Sequence, residues 1–291
     1  MRRFVVVVTS KMRYIDAWAH GRAPFISLIG QGKFMASQSL GLDAESPLGR
    51  FSLSRGAHCA LFLFPIAVLG ALLLCRALAS GWYGRIIKED GPLEFAQWFF
   101  YISAAGCALA AGWVAMKLRQ RFLSVLYLLL GVGLFFVAME EISWGQRIFE
   151  IETPASLRER NTQRELTIHN IDSVQTMLHE AYMIVGVGAG LAWLVIPRRM
   201  YPKVGAWFAY VIPPWVHTFY FLPVGLFYLY MGLTRGHLRY RVLQLPDQEL
   251  FETLLSMGFL VFTWHNLRRL REATRRTPAP PQASMGAAVG A

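Results

Sequence analysis

Charge is what this sequence has least of. Asp, Glu, Lys and Arg make up 16% of its 291 residues, against about 25% in an average soluble domain. The deficit collects in long apolar runs, which excludes an ordinary soluble domain. Cysteine is scarce as well. Cys59, Cys75 and Cys107 all fall inside apolar runs, and there is no CxxC pair, so a disulfide framework is not expected. The N-terminal "MRRFVVVVTSKMR" has a basic start but an apolar stretch of only about five residues, too short for a secretory signal. Several motifs are missing: HExxH, HxxxH, DDxxD and ExxH spacings, a nucleophilic serine elbow and a phosphate-cradling glycine loop. No internal repeat is visible.

What is present is hydrocarbon. A helix needs about 20 apolar residues to cross a bilayer, and six segments qualify: 57–79, 92–116, 122–143, 177–197, 205–231 and 248–266. They predict an all-α membrane protein, a bundle of about six transmembrane helices. The fifth holds Pro213, Pro214 and Pro223 and is expected to be kinked or partly unwound. Residues 1–56 read as a cytoplasmic lead-in of low order or an over-long gene start, with Met12 or Met35 as initiator. Residues 57–267 form the transmembrane domain, with a periplasmic loop at 144–176. Residues 268–291 are a basic and then disordered tail.

The net charge of +11 does not point to nucleic acid, because the basic residues sit at span ends. Lys117, Arg119, Arg121, Arg198, Arg199, Lys203 and the arginines from Arg268 to Arg276 mark one face. By the positive-inside rule that face and both termini are cytoplasmic. The chain is then a multi-pass protein of the inner membrane, and anionic lipid headgroups are the expected partners of these clusters.

All but four of the eighteen acidic residues (Asp16, Asp43, Glu45 and Glu272) belong to the opposite face. Helix dipoles explain part of this, because spans two, four and six begin there and favour carboxylates at their first turns. Asp90-Gly91-Pro92-Leu93-Glu94 reads as such a helix start. Glu140 and Glu141 escape that explanation. They end span three, where the dipole is unfavourable, and adjacent carboxylates repel. Arg147, seven residues on from Glu140 with Trp144 between them, is a counter-ion if the helix continues.

The following loop offers partners. Asn161, Gln163 and Glu165 alternate, so an extended chain would place them on one surface. His169 and Asn170 come next, and Asp172, Thr176 and His179 follow at helical spacing. Glu249, Glu252 and Ser256 share a face of span six. Carboxylates and imidazoles from several helices can meet at one depth, as they do in bundle active sites. Glu141, Glu140, His169 and His179 are the candidates for chemistry. Arg147, Trp144, Gln146, Asn161, Gln163, Glu165, Asn170, Glu94, Glu249 and Glu252 are candidates for binding. No cofactor is specified by a motif, although a divalent cation is compatible with the acids. His217 is expected to donate to a carbonyl freed by Pro213 or Pro214. His58 and His265 fall near the other face.

The stretches "EDGPLEF", "MEEISWGQRIFEIETP", "HN" and "ELFETLLSMGFLVF" resemble a loosely described family of bacterial polytopic membrane proteins with no assigned reaction. The resemblance runs over roughly residues 88–265 and is most specific at the EEISWGQ-type stretch. It implies a bacterial inner-membrane protein and contributes no mechanism. The Ser, Asp and triple-His pattern of the ceramidase-like membrane hydrolases is absent. Three functions are compatible with these residues: a membrane-embedded enzyme acting on a lipid or lipid-linked substrate, a non-catalytic assembly protein, and a proton-coupled transporter.

Overall fold

The computed structural model describes residues 55–88, 91–146, 148–161, 164–196, 206–234, 243 and 245–276. Most of the 1–56 lead-in, the tail from 277 onward, Arg147 and Gln163 lie outside the described residues, as do the readings that rest on them. Eight α-helices and no strand occur among the described residues. They are α1 (Arg55–Leu78), α2 (Ser80–Ile86), α3 (Pro92–Lys117), α4 (Arg121–Glu141), α5 (Ala155–Arg158), α6 (Asp172–Val195), α7 (Thr218–Leu233) and α8 (Gln248–Arg276).

Among the described residues five segments are long and apolar enough to cross a membrane: Gly56–Leu78, Pro92–Lys117, Arg121–Glu141, Ser173–Val195 and Trp207–Leu233. The chain is an all-α, multi-pass membrane protein. The expected sixth span lies in α8, which is 29 residues long but less apolar. Its Thr253, Ser256, Thr263, His265 and Asn266 are buried. A helix enclosed by other helices meets protein instead of lipid, so it tolerates polar residues that a peripheral span does not. The fifth span is broken as its prolines require. It consists of a tight turn at Ala206–Tyr210, a second at Trp215–His217, and α7 with Pro223 inside. Carbonyls freed by the break are taken up by side chains. Tyr127 Oη donates to the Tyr210 carbonyl at 2.7 Å, Asn266 Nδ2 to the same oxygen at 3.2 Å, and Arg269 Nη1 to that of Ala209 at 2.9 Å. His217 is fully buried, stacks on His265 at 5.8 Å and has the backbone of Pro214 and Val261 beside its ring.

The order of packing positions the site. α4 packs on α3, α3 on α8, α8 on α7 and α7 on α6, whereas α4 and α6 do not pack closely together. The five helices thus form an open horseshoe. Small residues let its members approach. α3 buries Ala104, Ala108, Ala111 and Ala115 toward its neighbours. Between α6 and α7 the approach is closer still: a Cβ on Gly186 would lie 2.3 Å from the backbone nitrogen of Gly225.

Candidate functional site

The end of the bundle where α3, α6 and α8 begin and α4 finishes holds the acids. The turn out of α4 decides their arrangement. Ser143, Trp144 and Gly145 have φ of 48°, 56° and 73°, left-handed values that only the glycine adopts easily. The helix therefore stops at Glu141, and the helical continuation to Trp144 expected from the sequence is not formed. The chain doubles back so that Trp144 Nε1 donates to Glu140 Oε1 at 2.6 Å. The other oxygen, Oε2, accepts the backbone N–H groups of Ile168 at 2.7 Å and His169 at 3.0 Å, and lies 3.2 Å from His169 Nδ1. Four donors thus compensate one buried carboxylate. Glu140 ties the loop down.

The loop is knit further by its own amides. Gln146 Nε2 donates to Thr153 Oγ1 at 2.7 Å, and Gln146 Oε1 accepts the Leu166 N–H at 2.6 Å. Asn161 is buried. Its Nδ2 donates to the Thr167 carbonyl at 2.7 Å, and its Oδ1 accepts the Glu165 N–H at 3.3 Å. The Arg164 N–H also donates to the Asn161 carbonyl at 3.1 Å, which a fully extended chain would not allow, and an Asx side chain competes for such local backbone groups. Asn170 Nδ2 donates to Thr167 Oγ1 at 3.1 Å.

This loop roofs a cavity of about 190 Å³. Glu94, Glu140, Glu141, Glu165, His169, Asn170, His179, Glu249 and Glu252 all line it. Trp144, Gln146 and Asn161 do not, and instead hold the roof. Most of the acids have a donor. Ser143 Oγ donates to Glu165 at 2.6 Å, Gln97 Nε2 to Glu249 at 2.9 Å, and the Tyr228 hydroxyl to Glu252. Glu141 is different. It faces the cavity with protein around it, yet forms no hydrogen bond or ion pair with a described residue.

No family model, curated protein or solved structure matches this chain.

Several lining residues went unread in the sequence, notably Gln175, Tyr182 and Gln248. Gln175, His179 and Tyr182 lie at i, i+4 and i+7, one helical face, and that spacing was the available signal. The alternative stripe through Thr176 points outward, and Thr176 and Glu180 are exposed. Among the described residues no three His, Cys, Asp or Glu side chains come together closely enough to hold a metal ion. A divalent cation would need other ligands. A second polar junction stands beside the cavity. Asp247 Oδ1 accepts from Arg76 Nε at 2.9 Å and from the Tyr83 hydroxyl at 2.5 Å. Burial first, and then this bond to Asp247, hold the Tyr83 phenol well above its ordinary pKa.

Proposed function

We propose that the protein is a membrane-embedded enzyme acting on a lipid or lipid-linked substrate, with Glu141 as general base. One observation supports the reading: the Glu141 carboxylate faces a roofed cavity with no hydrogen-bond or ion-pair partner among the described residues, while its neighbour Glu140 is fully engaged. A buried acid without a donor is destabilising unless a ligand or a reaction uses it. Glu141 takes a proton from a hydroxyl or water, and His179 or His169, which line the same cavity, returns one to the leaving oxygen. The test is Glu141→Gln in a strain lacking the native gene, with membrane lipids compared by mass spectrometry. The variant is expected to accumulate as folded protein and to leave the deletion strain's lipid profile unrestored. Full restoration would remove Glu141 from the chemistry.

A second reading, a non-catalytic assembly protein, has Asp247 in its favour, since that side chain joins α1, α2 and the start of α8. The break in the fifth span and the carboxylates at the membrane face favour a carrier. Normal restoration by Glu141→Gln would return weight to both.

The reading places the chain in a bacterial inner membrane, α8 spanning as the sixth helix, with lipids as partners and no role for nucleic acid. The acidic end then faces the periplasm and both termini the cytoplasm. A phosphatase active only in the periplasm is expected to work when fused near Arg160 and to fail after Arg276. The opposite pattern would invert the orientation.

A further inference from the structure

We propose that the cavity takes an amphiphile with an alkylammonium head, seated among the carboxylates while its chain leaves between α4 and α6. This rests on the lipid-substrate reading above and names the class of headgroup. Sign comes first. Glu94, Glu141, Glu249 and Glu252 approach from three helices, and no Lys or Arg lines the cavity among the described residues. An anionic headgroup is repelled there, and a cation is favoured.

Size separates an organic cation from a bare metal ion. Metal ligation needs several oxygens at about 2.0–2.6 Å from one point, and the described acids do not converge in that way. They are spread around a space of about 190 Å³, which suits a cation carrying its own methyl or methylene groups. Aromatic rings complete the match: Phe136 and Tyr182 stand in the same wall as the acids, and ring faces attract ammonium groups. Glu141 provides a carboxylate that no described side chain has claimed.

Apolar side chains also line the cavity, Phe136 and Val137 from α4 and Val174 and Leu178 from α6. These two helices do not pack closely on each other. A chain attached to the headgroup can pass between them into the hydrocarbon, so the ligand need not leave the bilayer to bind.

The experiment uses the full chain in phosphatidylglycerol nanodiscs. Three octadecyl diazirine probes are compared, identical except for a trimethylammonium, hydroxyl or carboxylate head, and labelled peptides are read by mass spectrometry. The ammonium probe is expected to label α4 and α6 about tenfold more than the other two. Glu141→Gln should remove most of that excess. Leu178→Trp, which narrows the opening without touching an acid, should reduce it as well. Equal labelling by the hydroxyl probe would overturn the inference, as would an ammonium excess that survives both substitutions. The two levels of the reading fail separately. An ammonium excess together with full lipid restoration by Glu141→Gln leaves the headgroup assignment standing and removes the enzyme. No excess with lost restoration does the reverse.

Discussion

Glu140→Gln is expected to destabilise the folded protein by about 3–5 kcal/mol, the range for stranding the partners of a buried charge. The carboxylate has two acceptor oxygens, and both are in use. Trp144 Nε1 occupies one, while the Ile168 and His169 N–H groups and the His169 ring meet the other. An amide keeps a single oxygen and turns an NH₂ toward donors, so at least one side of the arrangement is left unsatisfied. The loop should loosen before the helices do. Thermal unfolding in detergent, with limited proteolysis between residues 142 and 171, reads both effects. Glu141→Gln, one residue away, is expected to unfold at the native temperature or above it, since it replaces a carboxyl that has no described partner and is set among other acids. If the two substitutions destabilise alike, Glu140 is not the tie and Glu141 is not free.

Gly186→Val should be as damaging, for a reason unrelated to charge. Its Cβ would meet backbone atoms of Gly225 at 2.3 and 2.6 Å and the carbonyl of Phe221 at 2.8 Å. A flexible side chain could move aside, but a helix backbone can yield only by moving α6 away from α7. Overpacking of this kind costs about 1–3 kcal/mol where side chains can adjust, and the upper end or beyond is expected where they cannot. α6 is held mainly through α7, so its His179 and Tyr182 would leave the cavity wall with it. Gly188→Ala is the control: nothing lies within 4 Å of its Cβ, and alanine favours the helix by about 1 kcal/mol. Yield of monodisperse protein and its melting temperature decide the matter. Equal behaviour of the two variants would show that α6 and α7 are not in contact at Gly186.

The spans were legible because lipid imposes a length and a polarity on any helix it surrounds. The break at Pro213 and Pro214 was legible for a similarly local reason, the missing N–H groups. α8 shows where such reading weakens. Its buried Thr253, Ser256 and Asn266 are affordable only because other helices enclose it, a tertiary fact that a hydropathy window does not contain. The acidic end was visible from the positions of Glu94, Glu140, Glu141, Glu249 and Glu252, and the structure lines one cavity with all five. The described donors to Glu140 were not visible. Ser143 and Trp144 take left-handed angles, no propensity predicts that of a serine and a tryptophan, and Arg147 lies outside the described residues. The donors then come from Ile168 and His169, more than twenty positions on, through backbone groups that every residue has.

The attachment of α1 bears on how the chain is made. Few of its residues are buried, and its polar ties run to Tyr220, whose hydroxyl donates to the Leu61 carbonyl, and to Asp247, which holds Arg76. In sequence, Tyr220 stands 159 positions beyond Leu61, and Asp247 stands 164 beyond Tyr83. At a synthesis rate of about 5–20 residues per second, α1 waits roughly 10–30 s in the bilayer before either partner leaves the ribosome. Through that interval Arg76 has no carboxylate at Asp247 to meet and must rest among lipid headgroups or against the insertion machinery. α1 enters the membrane long before its polar partners are made and is among the last helices to be fastened, and truncated chains ending before Asp247 would carry it without that tie.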